Sequence, residues 1–118
     1  MTELTLPDSG AYELLLWLLR LRRRVRVTGA SMIPTLAAGD EVLVDTRAYI
    51  GRSPDPGEIV VARRPDCENV VMVKRVTGRL VDGSLVLHGD NPVASTDSHD
   101  FGPVAPEYLV GKVTSRFA

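Results

Sequence analysis

Apolar positions are spaced as in a helix near the start of the chain and as in strands after it. Leu14-Leu15-Leu16-Trp17-Leu18-Leu19 is the longest apolar run. With Asp8 or Ser9 as a cap, the stretch from Gly10 to about Arg24 is expected to be helical. Its apolar residues run nearly all the way round, with Glu13 and Arg20 as the breaks. After Arg24 the helical period disappears. Val25 and Val27 then alternate with Arg26 and Thr28, as on a half-buried strand.

Segments rich in Val, Ile and Leu predict further strands at Glu41–Asp45, Glu58–Arg63 and Asn69–Thr77, with shorter ones at Arg79–Val81, Ser84–His88 and Tyr108–Arg116. Turn signals fill the gaps at Gly39-Asp40, Ser53-Pro54-Asp55-Pro56-Gly57, Asp82-Gly83 and Gly89-Asp90-Asn91-Pro92. Asp82-Gly83, between two strand-like runs, signals a two-residue hairpin. The expected fold is mainly β, a small antiparallel barrel or sandwich with a short N-terminal helix. The expected organisation is a tail and helix over 1–24 and a single β domain over 25–118.

Composition narrows the possible functions. A chain of 118 residues, 44% hydrophobic and 25% charged, can bury a core without a disulfide or a metal. Its net charge of −1 provides no basic field for nucleic acid. Cys67 is the only cysteine and sits in the polar stretch Arg63–Asn69, read as a loop. His88 and His99 are too few for a metal cluster, so neither metal nor cofactor is expected. A bilayer span needs roughly 20 apolar residues, far more than the Leu14–Leu19 run supplies. Arg20, Arg22, Arg23, Arg24 and Arg26 follow that run, whereas a secretory signal peptide has its basic residues first. Two readings of the helix stay open. It packs on the domain with its arginines in solvent, or it lies in a membrane interface with them at the headgroups.

Three segments carry chemistry. In Thr28-Gly29-Ala30-Ser31-Met32-Ile33-Pro34-Thr35-Leu36, small residues before Ser31 let a substrate backbone come close, and local N–H groups can form an oxyanion hole. In Val70-Val71-Met72-Val73-Lys74-Arg75-Val76, Lys74 interrupts an apolar strand; pointing inward, it loses hydration and is favoured as a neutral amine able to take a serine proton. The third is Leu87-His88-Gly89-Asp90-Asn91-Pro92 followed by Ser95-Thr96-Asp97-Ser98-His99-Asp100-Phe101-Gly102, dense in side chains that position others. Taken singly, each has an ordinary structural explanation: a turn serine, a solvent-facing lysine and a surface loop.

Taken together, their order and wording resemble the signal peptidase I family of serine proteases. The resemblance covers Val27 to Val113. It is carried by Gly29-Ala30-Ser31-Met32 with Pro34-Thr35-Leu36, then Gly39-Asp40-Glu41-Val42-Leu43-Val44, Pro56-Gly57-Glu58-Ile59-Val60-Val61 and Val73-Lys74-Arg75-Val76. Gly89-Asp90-Asn91-Pro92, Ser95-Thr96-Asp97-Ser98 and Phe101-Gly102 complete it. It implies the all-β fold shared with the repressor proteases. It also implies Ser31 as nucleophile, Lys74 as general base, and Gly29, Ala30, Met32 and Pro34 as the oxyanion and substrate-binding segment. Asp90, Asn91, Ser95, Asp97 and Ser98 would support the dyad, with Ser95 holding the Lys74 amine.

Three departures stand out. Gly29 replaces a hydroxyl residue that donates to the oxyanion in some members. His99 stands where an arginine is common. The membrane span typical of the family is missing before the serine. Chain length, the Arg-Val-Arg-Val-Thr28 entry and Gly89-Asp90-Asn91-Pro92-Val93-Ala94-Ser95 look most like the proteases that mature nickel-type superoxide dismutase. The implied partner is then that precursor, with nickel belonging to the substrate. The implied location is cytoplasmic, with peripheral membrane contact through the helix. The alternatives are a signal peptidase relative acting on secretory precursors and a non-enzymatic binding module on the same fold.

Overall fold

The computed structural model describes residues 6–91 and 102–117. Helix α1 (Ala11–Leu18) is followed by strands β1 (Arg23–Arg26), β2 (Glu41–Asp45), β3 (Ile59–Arg64), β4 (Cys67–Arg79), β5 (Leu85–His88) and β6 (Leu109–Phe117).

The helix is shorter than its apolar run predicts. Arg20 turns into the left-handed region (φ 63°). Its N–H then bonds the Trp17 carbonyl at 3.0 Å, and the Leu21 N–H reaches the Leu16 carbonyl at 2.8 Å. These two bonds satisfy the last carbonyls and close the helix. Arg23 and Arg24, expected to be helical, instead begin β1, where Arg23–Arg26 pair with Glu41–Val44 of β2. A long-range ladder overrides the local pattern.

As expected, the protein is mainly β and antiparallel. The six strands form one sheet in the order β1-β2-β6-β3-β4-β5. β1 and β5 stay at its edges, so the sheet is open rather than closed into a barrel. β2 has the expected bounds. β4 is longer than expected: it starts at Cys67, which stands exposed on the strand and not in a loop, and runs on through Gly78 to Arg79. Leu80 and Val81, expected in a strand of their own, enter the hairpin turn instead. That turn has one residue more than the Asp82-Gly83 signal implied. Leu80 N–H bonds the Ser84 carbonyl at 2.8 Å, and Gly83 adopts φ 90°, the left-handed position of a three-residue hairpin loop.

β3 explains how the core is divided. Its run Ile59-Val60-Val61-Ala62 is apolar without alternation because both faces are covered. Ile59 and Val61 pack with Val27, Met32, Leu36 and Val42. Val60 and Ala62 pack with Val76, Leu85, Leu87 and Val104.

Gly111 lies on β6 between β2 and β3. A Cβ there would stand 2.5 Å from the Asp45 carbonyl oxygen and 2.8 Å from Val44 Cγ1. Gly111→Ala should therefore destabilise the fold by about 1–3 kcal/mol. Thermal denaturation should show the melting temperature falling by roughly 5–15 °C.

Candidate active site

The segment after β1 is a closed loop. Val27 N–H donates to the Asp40 carbonyl at 2.7 Å, and Gly39 N–H returns to the Val27 carbonyl at 2.9 Å, joining its two ends. Met32 and Leu36 anchor it by burying their side chains in the core. Gly29 takes φ 79° with open space where a side chain would project. Ser31 is thus held half-buried between a left-handed glycine and a buried methionine.

Lys74 lies on β4 opposite Val60 of β3 and is only 4% exposed. Ser31 and Lys74 line one cleft of about 260 Å³. One wall is Val25–Ala30 and the other Val70–Val73, with Arg64 also contributing. β1 pairs only with β2. β5 pairs with β4 from Arg75 onwards, and among the described residues no strand pairs with Val70–Val73 on that side. Both walls therefore present strand edges to the cleft, among the described residues.

Asp90 and Asn91 tie the serine loop to the lysine strand. Asp90 accepts bonds from Arg75 Nε and Nη2, both at 2.9 Å, and from Thr35 Oγ1 at 2.5 Å. Arg75 Nη1 donates to the Gly57 carbonyl at 2.7 Å. Asn91 donates its N–H to the Ser31 carbonyl at 2.8 Å and its Nδ2 to the Ala30 carbonyl at 3.1 Å. Burial pushes the Asp90 carboxyl up, but the Arg75 guanidinium and the Thr35 hydroxyl outweigh this and hold it below the usual carboxylate range.

Of the sequence-designated residues, Gly29 and Ala30 line the cleft with Ser31 and Lys74. The Met32 side chain is in the core instead, and Pro34 stands exposed off the cleft walls. Ser95, Asp97, Ser98 and His99 lie outside the described residues. Arg75 and Thr35 were assigned no role from sequence. The one signal for Arg75 is a guanidinium in one motif and the Asp90 carboxylate in another, and Thr35 has only its hydroxyl. His88 closes β5, its Nδ1 2.7 Å from Thr77 Oγ1. No cluster of His, Cys, Asp or Glu among the described residues could hold a metal.

A second cleft of about 240 Å³ lies between Leu6-Pro7 and Gly57–Ile59 over Lys112–Thr114. Its hydroxyl, Thr114 Oγ1, is engaged with Glu13 and the Leu43 carbonyl. Its carboxylate, Glu58, is occupied by Tyr49 Oη and Arg52 Nη2, each at 3.0 Å, and by Lys112 Nζ at 3.3 Å. Burial raises that carboxyl, but Arg52, Tyr49 and the Asp55 N–H bring it below its ordinary value.

Residues 11–80 match the family model described as signal peptidase, peptidase S26. Mitochondrial inner membrane protease subunit 1 of Xenopus tropicalis is 32% identical over 108 residues, covering 75% of this chain and 65% of that protein. The subunit of the same name from Schizosaccharomyces pombe is 32% identical over 108 residues, covering 75% of this chain and 69% of its own. Thylakoidal processing peptidase 1 of Arabidopsis thaliana is 25% identical over 137 residues, covering 77% of this chain and 40% of its own. This chain thus spans between 40% and 69% of the length of these three relatives. No solved structure matches. With a family match running from α1 through the serine loop to the end of β4, the chain belongs to the signal peptidase family, peptidase S26.

Proposed function

We propose that this chain is a serine endopeptidase that removes N-terminal extensions from precursor proteins, with Ser31 as nucleophile and Lys74 as general base. The observation that carries this reading is a serine and a buried lysine sharing one cleft between two open strand edges. A substrate segment lies extended between those edges and pairs through its main chain. Burial costs an ammonium its hydration, which favours Lys74 as a neutral amine. Lys74 takes the Ser31 proton as Oγ attacks the scissile carbonyl. It then passes that proton to the leaving amine, and water clears the acyl-enzyme. The Ser31 backbone N–H donates to the oxyanion; Gly29 has no side chain to add a second donor. In this reading residues 25–118 form the protease domain and 1–24 its lead-in.

The relatives are named as inner membrane proteases and a processing peptidase, which favours a signal-peptidase-like role on exported or sorted precursors. The nickel-type superoxide dismutase propeptide is the narrower reading, and it rests on the wording of Gly89–Ser95 and the Arg-Val-Arg-Val entry. That narrower reading places the enzyme in the cytoplasm.

The test offers the purified chain both substrates, a nickel superoxide dismutase precursor and a signal-peptide-bearing precursor, with and without lipid. Mass spectrometry reads the new N-terminus. One cut at a single bond in either precursor is the expected result, and its identity selects the substrate. No cut in either, under any lipid condition, overturns the proposal.

A further inference from the structure

An irregularity in the sheet separates the two arginines that end β3. Arg63 pairs with Val71 of β4, whereas Arg64 pairs with Cys67, so the register skips Glu68–Val70. Such a slip re-aims the side chains beside it. Arg63 Nη2 donates to the Glu107 carbonyl at 2.9 Å, and Arg64 lines the cleft that holds Ser31 and Lys74.

The strand sets its distance from the chemistry. Val60 pairs with Lys74, and Arg64 stands four residues further along β3. At roughly 3.3 Å per residue this is about 13 Å, or about four residues of an extended substrate. The walls between are apolar or small, Val70–Val73 on one side and Val27–Ala30 on the other. Among the described residues no carboxylate lines the cleft. A cation beyond an apolar stretch is complementary to an extended segment whose acidic residue lies beyond small or apolar ones.

Arg64 is held by Asp66, Nε to Oδ1 at 2.9 Å and Nη2 to Oδ2 at 2.8 Å. Side-chain exposures of 31% and 53% make this a surface pair, which contributes little to stability. A substrate carboxylate therefore competes with Asp66 at small cost, and the planar guanidinium can grip it with two N–H groups. The cleft's other arginine, Arg26, is exposed on β1, with Nη2 3.9 Å from where a Gly39 side chain would begin. Its guanidinium is thus engaged along β1, and the contact falls to Arg64.

We propose that Arg64 is a specificity residue that selects substrates with an acidic side chain about four residues from the scissile bond. The inference rests on the proposed cleavage of an extended segment in this cleft. It names the substrate class: precursors with an Asp or Glu set off from the cut by small or apolar residues. The contact is remote from the reacting atoms, so it acts on KM and leaves kcat nearly unchanged.

The test uses the full chain with synthetic peptides of Ala, Val and Thr that offer a central Ala-Ala bond. Each peptide carries one Glu, Gln or Lys at the third, fourth or fifth position to either side. At one position the Glu peptide should exceed its Gln counterpart about fivefold in kcat/KM, and salt should shrink the difference. Arg64→Gln should abolish the preference, and Arg64→Glu should reverse it in favour of Lys. A merely structural role for Arg64 would lower all peptides alike. Arg26→Gln should keep the preference, and circular dichroism verifies that each variant folds. The same peptides, labelled, are titrated against the Ser31→Ala chain with and without Arg64→Glu, so that Kd reads the preference even where no bond is cut. Equal cleavage of the Glu, Gln and Lys peptides at every position overturns the inference and leaves the protease reading in place. A preference that Arg64→Glu does not move, or that Arg26→Gln removes instead, overturns the assignment to Arg64. No cleavage, with a charge-selective Kd that Arg64→Glu reverses, upholds the recognition and overturns the protease reading alone. Neither cleavage nor charge-selective binding overturns both.

Discussion

Ser31→Ala should leave cleavage at least about 10⁴-fold below wild type in kcat, and Lys74→Ala should do the same. The double variant should be no worse than either single one, because nucleophile and base act as a unit. Lys74→Met discriminates best. It keeps the length of the side chain and its apolar packing while removing the amine, so the chain should still fold while the rate disappears. Lys74→Arg should also be inactive, since a guanidinium does not give up its proton. In the wild type, kcat/KM should rise with pH and reach a plateau, because the base works deprotonated. Denaturation curves beside the single-turnover rates separate lost chemistry from lost fold. A Lys74→Met enzyme within tenfold of wild type would remove Lys74 from the mechanism and leave Ser31 in need of another base.

What the sequence made legible follows from how local each feature is. β2 could be read as Glu41–Asp45 because its apolar run Val42-Leu43-Val44 is short and follows Gly39-Asp40. β3 could be read as a strand because Ile59–Ala62 is apolar without a break, whereas the covering of both its faces is seen only in the fold. Ser31 and Lys74 stood out only through the resemblance, because taken singly a serine after two small residues and a lysine in an apolar strand have ordinary explanations. The features that escaped depend on partners far away in the chain. Arg23 and Arg24 look helical until Glu41–Val44 offers them a ladder. Which leucines of α1 face outward stays open until Glu13 finds Thr114 and Ser115, which leaves Leu15, Leu18 and Leu19 exposed while Leu16 is buried. An open sheet and a closed barrel share one alternation pattern, so the pattern alone did not decide closure. Asp90 read as a supporting residue, but its partner Arg75 was hidden, because neither motif alone shows that the two charges meet.

That meeting predicts the second large effect. Arg75 and Asp90 have side-chain exposures of 5% and 8%, so their ion pair is buried. Asp90→Ala leaves the guanidinium without its carboxylate and Thr35 without its acceptor. The loss should be about 3–5 kcal/mol. Domains of this size are stable by roughly 5–15 kcal/mol, so denaturant melts should show a protein close to unfolding. The Asp90 carboxyl is held low in the fold. Its contribution is therefore complete above the unfolded value of roughly 3.9 and lost as pH falls through the folded one. Asp90→Asn should accordingly remove part of the acid-induced loss of stability below about pH 4. The decisive variant is Asp90→Leu with Arg75→Met. A buried ion pair replaced by apolar groups of similar volume is often neutral or stabilising, so this double variant should recover part of the stability lost in Asp90→Ala, short of the bond Arg75 also gave the Gly57 carbonyl. It should not recover the rate. Thr35 still lacks its anchor, and Asn91, next in the chain, holds the Ala30 and Ser31 carbonyls only as well as its neighbour is fixed. A stable double variant with kcat reduced roughly tenfold or more would show that the clamp aims Ser31 at Lys74, since misplacing a reacting group by about 1 Å costs on that order or above. A stable double variant at full rate would reduce Arg75 and Asp90 to a structural pair.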